Sequence, residues 1–235
     1  MRSNLEAIIL AGGFGTRLQK VVRDVPKPLA PVAGRPFLAY LLDSLSHAGV
    51  KRAVLATGYL SEQIEAAMGH AWRGMALAYS VEDTPLGTGG AIQKALSKTS
   101  GGPVLVLNGD TWLRFSATEF AAAVQASGQP LGMALARVPD VARYGAVALS
   151  GECITDFGEK NSSGPGFINA GVYCMADPAR LSFPAMKAFS FEKEILAPAG
   201  SAGHLFGFIH TSDFIDIGVP EDYARAQDEA KGWLA

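Results

Sequence analysis

Short apolar runs alternate with amphipathic stretches through the first half of the chain. Residues 5–10 (Leu-Glu-Ala-Ile-Ile-Leu) read as a strand. Apolar residues then recur at helical spacing over 37–48, at Leu38, Leu41, Leu42 and Leu45, and Gly49 stands where a helix cap would. A strand is expected over 52–57, and a helix over 61–68 with Ser61 as its N-cap. A strand over 75–81 and a helix over 88–96 follow. Residues 103–107 are almost wholly apolar, as a strand covered on both faces should be. Such alternation predicts an α/β fold with a mostly parallel central sheet and helices on both faces.

The pattern changes after residue 130. Residues 131–137, 145–149, 153–157 and 167–175 are strand-like, separated by turn signals at Gly151 and 162–166. They predict a small antiparallel extension that closes over one end of the parallel sheet. Residues 191–196 read as helical. A final helix is expected over 220–231, with Pro220 in its first turn and Glu221 and Asp222 suiting its positive end. No repeat, low-complexity tract or interdomain linker interrupts the chain, so one domain over 1–235 is the simplest organisation.

Composition narrows the function. A chain of 235 residues with 49% apolar content can bury a sizeable core. A net charge of −2 with no basic block argues against nucleic acid and anionic membranes as partners. No run approaches the ~18 apolar residues of a membrane span. The strand reading at the N-terminus leaves no signal peptide to expect. Cys153 and Cys174 fit no metal spacing and are expected to be buried free thiols in a reducing, cytoplasmic setting. The four histidines (His47, His70, His204 and His210) lie outside every motif and read as structural.

Chemistry concentrates near the start. Residues 7–18 read Ala-Ile-Ile-Leu-Ala-Gly-Gly-Phe-Gly-Thr-Arg-Leu, and 26–31 read Pro-Lys-Pro-Leu-Ala-Pro. An apolar strand ending in Gly12, Gly13 and Gly15 lets backbone N–H groups approach a polyanion, while Arg17 and Lys27 supply positive charge. That is the chemistry of a nucleoside triphosphate site. A Walker loop is excluded because no Gly-Lys-Ser/Thr occurs, and a dinucleotide fingerprint because Leu18 takes the place of its third glycine.

Gly-Gly-Phe-Gly-Thr-Arg-Leu with Pro-Lys-Pro-Leu resembles the sugar-1-phosphate nucleotidylyltransferases. The likeness runs through Phe214-Ile-Asp-Ile-Gly-Val-Pro-Glu-Asp-Tyr223 and is greatest to the D-glycero-α-D-manno-heptose-1-phosphate guanylyltransferases. It implies a Rossmann-like, GT-A-like fold. Residues 1–130 would mainly bind nucleotide and 131–235 mainly sugar phosphate. It also implies a role in bacterial capsule or lipopolysaccharide synthesis. Some relatives carry a further β-helix domain, for which this chain ends too soon.

Asp110 follows the apolar strand in Asn108-Gly109-Asp110, where ligands of open α/β sheets gather. It is well placed to hold Mg²⁺ against phosphate oxygens, and Asp216 is the natural second carboxylate. In the resembled family the acids at these positions bind the metal. The reaction it implies joins two polyanions: a sugar 1-phosphate attacks the α-phosphorus of a nucleoside triphosphate. Catalysis must then come from positioning and charge neutralisation. The expected catalytic residues are Arg17, Lys27 and Asp110. Leu10, Ala11, Gly12, Gly13, Gly15 and Thr16 are expected at the nucleotide. By resemblance Lys160 takes the sugar phosphate and Glu159 a sugar hydroxyl, with Asn169 and Gly145 beside the sugar.

Residues 82–90, Glu-Asp-Thr-Pro-Leu-Gly-Thr-Gly-Gly, match the family's nucleobase loop and add Glu82, Pro85, Gly87 and Thr88 to the nucleotide set. Gly12 and Gly87 should bring backbone close to the base, and Thr88 should cap the following helix. Relatives using uridine or thymidine triphosphates commonly have Gln where Glu82 stands. A carboxylate only accepts hydrogen bonds. It can engage the N1–H and N2 amine of guanine together, and it repels the carbonyls of uracil. The expected substrate is therefore GTP. Mannose-1-phosphate guanylyltransferase and amino-sugar-1-phosphate uridylyltransferase are the alternatives with the same chemistry. A glycosyltransferase would typically show Asp-x-Asp, but Thr111 and Trp112 follow Asp110. A non-catalytic nucleotide-sugar sensor predicts degraded motifs, which are absent here. Surface elements of the second half could form a homodimer, with no face specified.

Overall fold

A computed structural model describes residues 5–13, 22, 25–157, 163–185 and 187–234. Its centre is the parallel set β1 (Glu6–Leu10), β4 (Arg52–Thr57), β6 (Met75–Val81) and β7 (Val104–Asn108). Between β1 and β4 lie the short antiparallel pair β2 (Pro31–Val32) and β3 (Arg35–Pro36) and the helix α1 (Phe37–His47). Ile8 pairs with Val54 on one side and Val106 on the other, so β1 is fully interior. Side chains alternate along it. Ala7 and Ile9 join one core with α1 and α2 (Ser61–Met68), while Ile8 joins the other with α3 (Gly87–Leu96). Helices thus cover both faces, as expected.

The second half does not close over the end of this sheet. It continues the sheet sideways. β12 (Gly166–Met175) lies between β7 and β9 (Leu131–Val138), antiparallel to both. Beyond β9 come β13 (Leu205–Phe208), β11 (Cys153–Phe157) and β10 (Val147–Ser150), giving ten strands with β5 (Ala71–Trp72) at the far edge. The extension is therefore larger than expected. Its cause is the run Val172–Met175, which is buried and pairs residue for residue with Val104–Leu107.

A second, two-stranded sheet matters more for the site. β8 (Thr111–Phe115) pairs antiparallel with β14 (Thr211–Asp216), with Thr111 opposite Asp216. Helix α4 (Ala117–Ser127) follows β8, capped by the Ser116 hydroxyl accepting from the Glu119 N–H at 3.3 Å. Helix α6 (Pro220–Glu229) begins at Pro220 as expected and ends in a short turn carrying Trp233. That indole stacks on Trp112 at 4.7 Å and meets the edges of Phe37 and Tyr40. The last residues are thereby joined to α1 and β8.

Three local expectations are corrected. Ser61 is not an N-cap: Leu60, at φ +59°, takes that place, and the Ser61 N–H already donates to the Gly58 carbonyl. The stretch at 145–149 begins its strand only at Val147, because the Gly145 N–H closes a turn onto the Val141 carbonyl. Residues 191–196 form a helix, but Glu192–Leu196 is wound as a π-helix before α5 (Ala197–Ser201). Cys174 is buried as expected, whereas Cys153 is half-exposed.

Candidate active site

The C-terminal ends of β1, β4 and β7 open into a cavity of about 340 Å³. This is where an open α/β sheet presents ligands. Its lining includes Leu10, Ala11, Gly12, Gly13, Lys27, Glu82, Pro85, Gly87, Thr88 and Asp110. Ten of the expected residues therefore face one space. Gly15, Thr16, Arg17, Glu159 and Lys160 lie outside the described residues. None of the four histidines lines the cavity.

Lys27 sits on a one-turn 3₁₀ helix, Lys27–Leu29, fixed by the buried Pro28 and by the Ala30 N–H donating to the Lys27 carbonyl. Its side chain is largely buried, and its Nζ donates to Asp110 Oδ2 while standing 3.8 Å from Asp216 Oδ1. The two acids meet because β8 and β14 pair, and because the Ile217 N–H donates to the Asp110 carbonyl. Asp216 is held by the Gly218 N–H at 2.8 Å. Burial and the neighbouring Asp110 charge raise its pKa, against the opposing pull of Lys27, the Gly218 N–H and Arg143. The donor set is two convergent carboxylates, a group suited to a hard cation that takes its remaining ligands from phosphates and water. Among the described residues no third acid or histidine joins them.

Gly218 leaves space that Lys27 uses. A Cβ there would fall 2.3 Å from Lys27 Nζ and 2.8 Å from Asp216 Oδ1. Gly218→Ala should therefore displace the ammonium and lower turnover on the order of 10–100-fold, the scale of a misplacement of about 1 Å. Steady-state kinetics alongside thermal unfolding checks this, and wild-type turnover in that variant would contradict the placement.

The wall that carries Glu82 is equally well fixed. The Glu82 N–H donates to the Thr57 carbonyl, continuing the β4–β6 ladder, and its Oε2 accepts from the Leu86 N–H at 2.8 Å. Its carboxylate thus points back along the loop, beside Gly12. Gly87 has φ +66°, and a Cβ on it would lie 2.5 Å from the Phe189 carbonyl oxygen. Thr88 does not cap α3, whose N-cap is Leu86; its hydroxyl accepts from the Phe191 N–H at 2.9 Å.

Sugar-side expectations land differently. Gly145 and Asn169 do not line the cavity. The Asn169 carboxamide donates to the Tyr173 hydroxyl and accepts from the Gly171 N–H, which leaves it one N–H and one oxygen lone pair for anything else. Glu192, Asn108, Gly109 and Ala91 do line the cavity and were not expected. Asn108 and Gly109 could have been read from the same string as Asp110. Glu192 carried no such signal.

The chain belongs to the nucleotidyl transferase family, which it matches over residues 6–231. Its relatives narrow the likeness. It is 38% identical over 231 residues to the D-glycero-alpha-D-manno-heptose 1-phosphate guanylyltransferase of Aneurinibacillus thermoaerophilus, covering 98% of this chain and 100% of that one. The mannose-1-phosphate guanylyltransferase of Mycobacterium tuberculosis is 31% identical over 94% of this chain and 63% of its own. Among solved structures, HddC from Yersinia pseudotuberculosis complexed with GMP-PN aligns with a TM-score of 0.83 at 34% identity, over 96% of this chain and 99% of that one.

Proposed function

We propose that the protein transfers GMP from GTP to D-glycero-α-D-manno-heptose 1-phosphate, giving GDP-heptose and pyrophosphate. The observation that carries this reading is the shared cavity: Glu82 stands on one wall and the Lys27–Asp110 pair on another. The near full-length likeness to a heptose 1-phosphate guanylyltransferase supports the choice of sugar. The mannose enzyme is less similar and longer.

The chemistry needs little from the protein beyond charge and geometry. A phosphate monoester's second pKa is about 6, so the sugar phosphate arrives as a dianion and needs no general base. One of its oxygens attacks the α-phosphorus, a new P–O bond forms, and the bond to the β-phosphate's bridging oxygen breaks. The electron pair leaves on pyrophosphate. Lys27 lies beside the α-phosphate and offsets its charge. Arg17 carries the departing pyrophosphate and Lys160 the sugar phosphate, with Glu159, Asn169 and Gly145 around the sugar. Asp110 and Asp216 hold Mg²⁺, which supplies Lewis-acid neutralisation of phosphate oxygens when bound. The nucleotide is read by residues before 130, and the sugar phosphate mainly by those after it. Use of GTP suits a cytoplasmic protein.

The test is pyrophosphate release from each nucleoside triphosphate with heptose, mannose and amino-sugar 1-phosphates, with and without Mg²⁺. GTP with the heptose should give the highest kcat/KM. Preference for UTP would refute the base assignment, and preference for mannose 1-phosphate the sugar assignment.

A further inference from the structure

Glu192 is an acid with no evident reason to be where it is. It lines the same cavity as Glu82 and Asp110, yet it is exposed and forms no ion pair among the described residues. Among the described residues, its carboxylate's one hydrogen-bond partner is the Ser190 hydroxyl, at a long 3.4 Å. It is not a member of the Asp110–Asp216 pair, since no group of three acids converges among the described residues. A carboxylate facing a space built for triphosphate is repelled by it unless it meets hydrogen-bond donors there.

Its position is nevertheless built. The segment leading into it is joined to the base loop by three hydrogen bonds. The Phe189 N–H donates to the Leu86 carbonyl at 3.0 Å, and the Gly89 N–H donates to the Phe189 carbonyl at 3.0 Å. The Phe191 N–H donates to the Thr88 hydroxyl at 2.9 Å. Gly89 has no room for a side chain, because the Phe189 ring lies where a Cβ would go. The π-winding of Glu192–Leu196 begins at Glu192 itself, and such wide turns recur at functional sites. The Glu192 charge also reaches the Tyr173 hydroxyl, whose pKa is raised first by burial and then by this acid. Tyr173 in turn holds Asn169.

We infer that Glu192 is a substrate-binding residue that accepts hydrogen bonds from a pair of adjacent hydroxyl groups. This rests on the guanylyltransferase reading and deepens it. Two carboxylate oxygens match the two donors of a vicinal diol, and both substrates carry one: the ribose of GTP and the ring of the sugar 1-phosphate. Because Glu192 is tied to the base loop, the fit of the base and the capture of the diol are set by one piece of structure.

The experiment compares wild type with Glu192→Ala and Glu192→Gln. It uses pyrophosphate release with GTP, 2′-deoxy-GTP and 3′-deoxy-GTP against the heptose 1-phosphate. Hydrogen bonds to a charged acceptor set the scale, so Glu192→Ala should lower kcat/KM about 10–100-fold, and Glu192→Gln less. If the ribose supplies the diol, KM for GTP rises, and a deoxy-nucleotide costs wild type as much as the variant loses while costing the variant nothing further. If the sugar supplies it, KM for the sugar 1-phosphate rises and the deoxy-nucleotides affect both proteins alike. Wild-type KM values for both substrates in Glu192→Ala overturn the inference. So does a fall in kcat with both KM values unchanged. An unaltered protein that releases no pyrophosphate refutes the guanylyltransferase reading itself, and the role of Glu192 with it.

Discussion

Asp110→Asn is expected to lower kcat about 10³-fold with little change in the unfolding temperature. The magnitude is that of removing one preorganised electrostatic group from a transition state with developing charge. The substitution preserves shape, and the carboxamide oxygen can still accept the Thr111 hydroxyl, which donates to Asp110 Oδ1 at 3.3 Å. What it removes is the negative charge that fixes Lys27 and, with Asp216, would hold a cation. Among the described residues, Lys27 is then left with only the more distant Asp216 as a counter-ion. Asp110 is one-third exposed, so the fold loses little from the broken pair. Single-turnover rates at saturating substrates and Mg²⁺ check the chemical step, and thermal unfolding checks the fold. A variant within tenfold of wild type would show that the charge at Asp110 does not serve the reaction.

What the sequence reveals and what it hides divide along physical lines. β4, β6, β11 and α2 begin and end where their residue patterns place them, because each is a contiguous run whose burial decides its conformation. β14 was not legible. Its string Thr-Ser-Asp-Phe-Ile-Asp does not alternate, because a register shift between Ser212 and Ile215 and a left-handed Asp213 at φ +53° interrupt the pattern. β13 is four buried residues, too short to separate from a loop. Helix α4 is largely alanine and small polar residues, with a weak apolar stripe, but it did carry a legible start in Ser116-x-x-Glu119.

The site shows the same contrast. Asp110, Lys27 and the glycine loop could be found because each sits in a short string whose composition is chemical. Asp216 could be named, but its partnership with Asp110 required the β8–β14 pairing. Glu192 lies in Phe-Glu-Lys-Glu-Ile-Leu, which reads as the solvated face of a helix. Its orientation comes from a π-turn and from hydrogen bonds to residues about a hundred positions earlier, at Leu86, Thr88 and Gly89. Asn169 illustrates the converse. Its carboxamide chemistry suits a sugar hydroxyl, and the fold gives one N–H and one oxygen lone pair to Tyr173 and Gly171, a partnership that the sequence does not announce.

Glu82→Gln should shift the preference between GTP and UTP by 10²-fold or more, within the range of about 10⁴-fold that buried hydrogen-bond mismatches allow. The geometry makes the outcome directional. The Leu86 N–H donates to Glu82 Oε2 and would turn the Gln oxygen toward itself, since the amide nitrogen offers it only a donor. The Gln nitrogen then takes the place of Oε1, which lies beside Gly12 on the cavity wall. One of guanine's two adjacent donors would meet an N–H there, donor against donor, so kcat/KM with GTP falls. Uracil presents a carbonyl beside its N3–H, which a carboxamide can satisfy with its donor and acceptor together, so kcat/KM with UTP rises. The two changes multiply in the ratio, which is why this conservative replacement has a larger effect on selectivity than on rate. Competition between the two triphosphates in one reaction measures the ratio directly. A shift of less than threefold would mean that the base is read by the loop backbone rather than by this carboxylate.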